Sequence, residues 1–262
     1  MPLLVAILAL ALGGTSGGNA APFTVAIDPG HGGTNLGAQV EAGPGRVRYE
    51  KRIILDLARR LRRHLDAEPG IRVVLCRNSD VLVSIRARVR CANESGARVF
   101  LSLHTNASPE GIARGSQQGF ELYVPTPEDV DEGAALVGIV EKNDADAAWA
   151  SHLLRAAAED SAMFARRLQL RLSEALGARA DRGIKQSGAS LDVLRGLRIP
   201  GVLVEVGFLD HPEEGARLQS AEGLETIATA LAQAVGDFRT YEARSAAAMA
   251  APTGKPVRPA GR

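Results

Sequence analysis

The sequence predicts a single α/β domain built on a largely parallel sheet of six strands. Three observations lead there: six short apolar runs read as strands, amphipathic helical patterns separate them, and 262 residues at 45% hydrophobic composition can bury one full core. Aromatic residues are only 4% of the chain, so Leu, Val, Ile and Ala must build that core.

Residues 1–20 read as an export signal. Leu3–Leu12 is an unbroken apolar run of signal-core length, too short to span a bilayer, and Gly18-Asn19-Ala20 offers a small-x-small cleavage site before Ala21. The run is preceded by no Lys or Arg. No later segment is apolar enough to cross a membrane, so the domain over 21–242 is expected in the periplasm or cell-wall space with no stable membrane insertion. A net charge of +1 and few aromatics argue against a nucleic-acid partner.

The strand-like runs are Phe23–Ile27, Ile71–Leu75, Val99–Leu103, Phe120–Val124, Leu191–Leu194 and Val202–Val206. Over 50–66, Ile53, Ile54, Leu57, Ala58, Leu61 and Leu65 form one helical face, and a second helix covers 84–95. A third covers 160–177, with Phe164, Leu168, Leu172 and Leu176 at four-residue spacing and Gly177 as its stop. Pro212 opens a short helix, being favoured at the first helical position, and 221–239 is the last helix. The tail over 243–262 lacks periodicity and is expected to be disordered. Cys76 ends a strand and Cys91 lies on the next helix; an oxidising compartment allows them to pair, but sequence does not give the separation a disulfide needs.

Residues 126–160 exceed an ordinary connection and read either as a regulatory insertion or as a solvated surface helix with no regulatory part. Val130, Ala134, Val137 and Val140 recur at helical spacing, with Glu128, Asp129, Asp131, Glu132 and Glu141 on other faces. Gly133 and Gly138 weaken that helix by roughly 1 kcal/mol each relative to Ala, which suits an element that docks and leaves.

Four polar residues stand where strands end or a helix begins. His31 follows the first strand in Asp28-Pro29-Gly30-His31-Gly32-Gly33, His104 follows the third in Ser102-Leu103-His104-Thr105-Asn106, and Glu205 ends the last in Val204-Glu205-Val206-Gly207-Phe208. Ligands of open α/β sheets collect at such strand ends. Glu50 starts the first helix, where the helix dipole favours a carboxylate. Two His and one Glu are ligands a catalytic zinc takes, and a second Glu is the base that activates its water. A lone His after a strand is ordinarily a structural hydrogen-bonder. A carboxylate inside the apolar run around Glu205, however, is costly without a partner or a task. The spacing does not match a helical His-Glu-x-x-His site.

These stretches, together with Glu50-Lys51, Arg88 with Ala92-Asn93, Gly119-Phe120-Glu121, Arg182-Gly183-Ile184-Lys185 and Glu205-Val206-Gly207-Phe208-Leu209, resemble the zinc-dependent N-acetylmuramoyl-L-alanine amidases of the type 3 family, the cell-separation amidases of bacteria. The resemblance runs from about Thr24 to Tyr241. It implies a mixed, mostly parallel sheet flanked by helices, one Zn2+ held by His31, Glu50 and His104, and Glu205 as the catalytic base. The implied reaction is hydrolysis of the amide joining N-acetylmuramic acid to L-alanine in peptidoglycan, with Arg182 and Lys185 as candidates for holding stem-peptide carboxylates or as solvated loop charges. In division-linked relatives a segment covers the zinc until a protein activator, of LytM type, displaces it. Leu136-Val137-Gly138-Ile139-Val140 resembles part of that segment, which makes Glu132 and then Glu141 the candidate blocking ligands. His211 stands where the family usually has Asn and is expected as a helix N-cap. The competing readings are a zinc hydrolase of another wall-peptide bond and a non-catalytic wall-binding relative.

Overall fold

The computed structural model describes residues 21–41, 44–126, 144–187 and 192–250. In chain order its elements are β1 (Phe23–Pro29), β2 (Gln39–Glu41), β3 (Val47–Tyr49), α1 (Glu50–Asp66), β4 (Ile71–Leu75), α2 (Ile85–Glu94), β5 (Val99–Asn106), β6 (Phe120–Val124), α3 (Asp144–Leu176), β7 (Asp181–Gln186), β8 (Gly201–Phe208), α4 (Pro212–Arg217) and α5 (Ala221–Ala250). Six strands form one mixed sheet in the order β4-β1-β5-β8-β6-β7. The β4-β1-β5-β8 portion is parallel, and β6 crosses to it antiparallel to β8. β2 and β3 pair as a separate antiparallel hairpin.

The parallel strands are buried on both faces, which is why β1, β5 and β8 read as near-continuous apolar runs. One face carries α1, α3 and α5. The apolar stripe of α1 is buried as its spacing requires, and α3 sends Phe164, Leu168 and Leu172 into the same core as Leu231, Val235 and Phe238 of α5. The Phe164 and Phe238 rings meet at 5.0 Å. At the outer edge of that face, Glu225 of α5 accepts hydrogen bonds from Arg60 (2.9 Å) and pairs with His64 (2.6 Å) on α1. The other face carries α2 and a loop. Val193, Leu194 and Leu197 pack there on Ala26, Phe100 and Leu203. Ser84 caps α2 by accepting from the Ala87 N–H at 3.3 Å, the N-cap arrangement that satisfies an orphan helix donor. The Cys76–Cys91 disulfide forms, with its Cα atoms 5.7 Å apart, and ties the end of β4 to α2. Among the described residues no helix is long and apolar enough to cross a membrane.

Four expectations need correction. Of the run Leu191–Leu194, Leu191 lies outside the described residues and 192–194 form no strand but turns and a bend; Val193 and Leu194 are apolar because the loop itself plugs the second core. The sixth strand is instead β7, a polar edge strand paired only with β6 and half-buried along its length, which leaves no alternation to read. The third long helix begins at Asp144, so the segment expected as an insertion over 126–160 contributes residues 144–160 to α3, where Leu154 and Ala157 are buried. The last helix runs to Ala250, so 243–250 are helical; Ala, the best helix former, dominates that stretch. Residues 1–20, the amphipathic pattern with Glu132 and Glu141, and the tail beyond Ala250 lie outside the described residues.

Candidate metal centre

Three backbone devices bring His31, Glu50 and His104 together. His104 sits near the end of β5. Glu50 is the first residue of α1, and its N–H donates to the Ala38 carbonyl at 3.0 Å, which sets the helix start against the loop after β1. His31 lies in that loop with φ 58°, the one non-glycine positive φ among the described residues. Gly30 must lack a side chain, because a Cβ there would overlap the His104 ring.

The three ligand atoms meet almost equilaterally. His31 Nε2 lies 3.0 Å from Glu50 Oε1, His104 Nδ1 lies 3.0 Å from the same oxygen, and the two nitrogens are 3.1 Å apart. A tetrahedral zinc with ligands at about 2.0–2.1 Å separates them by roughly 3.3 Å, so the N2O donor set fits that ion in type and spacing. The groups behind the ligands are also in place. His31 Nδ1 pairs with Asn35 Oδ1 at 2.9 Å, and Glu50 accepts from the N–H groups of Ala38 (2.7 Å) and Thr105 (3.0 Å). Burial pushes the Glu50 carboxyl upward, but hydrogen bonds from His104 and His31 override it and hold the group well below the usual carboxylate range. Burial pulls His104 down, yet its hydrogen bond and charge contact with Glu50, aided by Glu205, leave it raised overall.

Glu205 is in register with His104 across the β5–β8 ladder and with Glu121 across the β8–β6 ladder, so the three side chains stand abreast at one end of the sheet. Glu205 Oε2 is buried with no hydrogen-bond partner. Burial drives its pKa up to about 7; His104 opposes the rise, Glu50 and Glu121 add to it, and His31 opposes it. A carboxyl group poised near neutrality, with a free lone pair beside a metal-type cluster, suits proton transfer.

Arg182 and Lys185 reach this end of the sheet but do not project freely. Arg182 Nε bonds Glu121 Oε1, and Lys185 Nζ lies 2.8 Å from the same oxygen. Tyr123 donates to Glu121 Oε2 at 2.6 Å. Burial alone would raise Glu121, but Lys185, Tyr123 and Arg182 lower it. His211 accepts from the Glu214 N–H at 3.4 Å and so caps α4, as expected. Sequence reasoning passed over Glu121, whose only signal was its place in a quoted segment. It also passed over Arg77, a buried arginine with no distinguishing pattern in the chain.

An α/β sheet with this donor set at its strand ends defines a protein with a candidate metal centre. The N-acetylmuramoyl-L-alanine amidase family profile matches residues 25–237, and the chain belongs to that family, of type 3. It is 32% identical over 219 residues to the probable N-acetylmuramoyl-L-alanine amidase AmiB of Haemophilus influenzae, covering 77% of this chain and 48% of that protein. It is 27% identical to AmiC of Escherichia coli, covering 80% of this chain and 51% of that protein. The chain therefore spans about half the length of these curated relatives. Among solved structures it resembles an N-acetylmuramoyl-L-alanine amidase of Clostridium difficile 630, with TM-score 0.65, 26% identity, and coverage of 84% of this chain and 98% of that one. The catalytic domain of CwlV from Bacillus (Paenibacillus) polymyxa gives 0.63 at 27% identity, covering 83% and 98%.

Proposed function

We propose that this chain is a zinc-dependent peptidoglycan hydrolase that cleaves the amide between N-acetylmuramic acid and the L-alanine of the stem peptide. The observation that supports it most is the meeting of two imidazoles and a carboxylate, with a buried, unpartnered Glu205 beside them, in a member of this family. His31, Glu50 and His104 would hold the ion. When bound, zinc supplies a Lewis acid for the scissile carbonyl and brings the pKa of a water toward about 7.

The remaining work falls to side chains. Glu205 accepts the proton of the attacking water on its free Oε2 and returns it to the alanine nitrogen as the carbon–nitrogen bond breaks. Its raised affinity for protons lets it hold that proton between the two transfers. Glu121, fixed by Arg182, Lys185 and Tyr123, sets the charge beside it. Arg182 and Lys185 carry two positive charges against the single negative charge of Glu121, a net +1 that attracts a stem-peptide carboxylate.

The reading extends to export, with the mature chain starting near Ala21, and to a role in wall remodelling or daughter-cell separation. It extends also to masking of the centre by the segment bearing Glu132 and Glu141 until a LytM-type activator removes it. Mass spectrometry of peptidoglycan digested by the zinc-loaded protein tests the reaction. Stem peptides with a free L-alanine N-terminus are the expected product. Fragments cut at any other bond would overturn the assignment.

A further inference from the structure

The turn that carries His31 is held from behind by two buried arginines. Arg77 is 3% exposed and Arg88 5%. The Pro29 carbonyl accepts from Arg77 Nε at 2.7 Å and from Arg88 Nη1 at 2.8 Å. The Gly30 carbonyl accepts from Arg77 Nη2 at 2.6 Å, and the His31 carbonyl from Arg88 Nη2 at 2.6 Å. Three successive carbonyls therefore end on guanidinium groups. They hold the left-handed backbone of His31, a conformation that sterics disfavour for any residue with a Cβ. Arg77 also donates to the Lys51 carbonyl at 2.9 Å, which links this turn to the start of α1 one residue past Glu50. The two arginines thus fix the backbone beneath two of the three ligands.

The arginine pair is not self-stabilising. The hydrogen bonds of Arg77 run to backbone carbonyls of Pro29, Gly30, Lys51 and Ser79, and Asp28, fully buried, bonds Arg88 alone of the two. Burial, and next the charge of Arg88, push Arg77 below the usual arginine range. Besides these hydrogen bonds and the ion pair of Arg88 with Asp28, a covalent link joins the segments that carry them. Cys76 adjoins Arg77 in sequence, Cys91 lies three residues past Arg88 on α2, and the two are joined.

We propose that the Cys76–Cys91 disulfide is the staple that keeps Arg77 and Arg88 on the His31 turn, so that its oxidation state sets how tightly the His31–Glu50–His104 centre holds its metal. This rests on reading that centre as a metal site. The exchange is thiol chemistry. One thiolate of an external dithiol attacks a disulfide sulfur, the other protein sulfur leaves as a thiolate, and the second external thiol then closes the external disulfide. The chain gains two electrons and two protons, and the dithiol loses them. Both cysteines are half-buried. In a reducing compartment the centre holds metal weakly; after export the same exchange run in reverse, with an external disulfide taking the two electrons and two protons and leaving as its dithiol, completes it.

The test measures zinc affinity by competition with a chromophoric chelator, together with the visible spectrum of the Co2+-substituted protein. Cys76→Ser/Cys91→Ser should bind zinc about 10-fold or more weakly and shift the Co2+ bands, the scale of losing support behind a ligand. Arg77→Lys, with its disulfide intact and its charge kept, should do the same through loss of the planar fork. Should the cysteine-free chain not fold, the comparison is made on the native chain before and after phosphine reduction, at a temperature where its circular dichroism is unchanged. His31→Ala serves as control. If it abolishes zinc binding while the cysteine-free or reduced chain and Arg77→Lys bind zinc like the oxidised native chain, the staple is overturned and the metal site stands. If His31→Ala binds zinc like the native chain, the reading of the centre is what fails.

Discussion

Glu121 and Glu205 face each other across the antiparallel β6–β8 ladder, one paired with two cations and hydrogen-bonded by a phenol, the other without a hydrogen bond on its buried oxygen. Two carboxylates side by side are thereby driven apart in proton affinity: Glu121 is lowered and Glu205 is raised to about 7. Glu121→Gln removes a charge that raises Glu205 and leaves Arg182 and Lys185 uncompensated beside it. The pKa of Glu205 should fall, making it a weaker base. The acid limb of the kcat/KM profile should move to lower pH with a reduced plateau; an unmoved profile would show that Glu121 does not tune the base.

Loss of a ligand and loss of the base should separate cleanly. His31→Ala and His104→Ala are expected to lose zinc and activity together. Glu205→Ala should retain zinc, measured by atomic emission, while turnover drops about 10²-fold or more, the usual scale for a general base. Near-normal turnover of zinc-replete Glu205→Ala would remove Glu205 from the mechanism.

In chelator-treated protein, Glu205 should also limit stability. Its folded pKa of about 7 lies above its ordinary 4.5. Below pH 4.5 it is protonated in both states and contributes nothing. Between pH 4.5 and 7 the unfolded chain releases the proton first, so stability is lost, and above pH 7 the loss is complete. Glu205→Gln should therefore raise stability at pH 8, by at most about 3 kcal/mol, and leave it unchanged at pH 4. Denaturant melts at the two pH values check this; an equal gain at both would place the strain elsewhere.

Gly30→Ala should displace His104, because the new Cβ falls on its ring. Zinc content should drop while the far-ultraviolet circular dichroism stays native. A variant with full zinc occupancy would mean that the His104 ring has another seat.

Phe164→Ala empties a fully buried site between α3 and α5, next to Phe238. A loss of about 3–5 kcal/mol in urea unfolding is expected. A loss under 1 kcal/mol would show that the two helices collapse onto the space.

Deleting residues 128–145, or Glu132→Ala, tests the proposed mask. Basal wall hydrolysis without a partner should rise; a folded, zinc-loaded deletion variant no more active than the intact chain would remove the mask.

By itself the sequence determined the buried framework and which polar groups gather at its rim. Wherever a strand or helix face is buried, its period is written in apolar residues, so β1, β4, β5, β6 and β8, the stripe of α1 and the four-residue apolar row of α3 were all legible. His31 and His104 were legible as candidates because polar groups at the ends of such runs have no packing role, Glu50 because it opens α1, and Glu205 because a carboxylate within the apolar run of β8 is costly without a partner or a task. What periodicity does not record was decided only by tertiary structure. β7 is a half-exposed edge with no alternation, and Val193 and Leu194 are apolar to fill a second core from a loop, so one strand was placed at the wrong segment. The first turns of α3 and the last of α5 carry too diffuse a pattern to mark where they begin and end. The pairing of Cys76 with Cys91, the engagement of Arg182 and Lys185 by Glu121, and the burial of Arg77 and Arg88 against three carbonyls depend on distances between residues far apart in the chain. A charged side chain looks the same in sequence whether it faces water or holds a turn; only its neighbours in space distinguish the two.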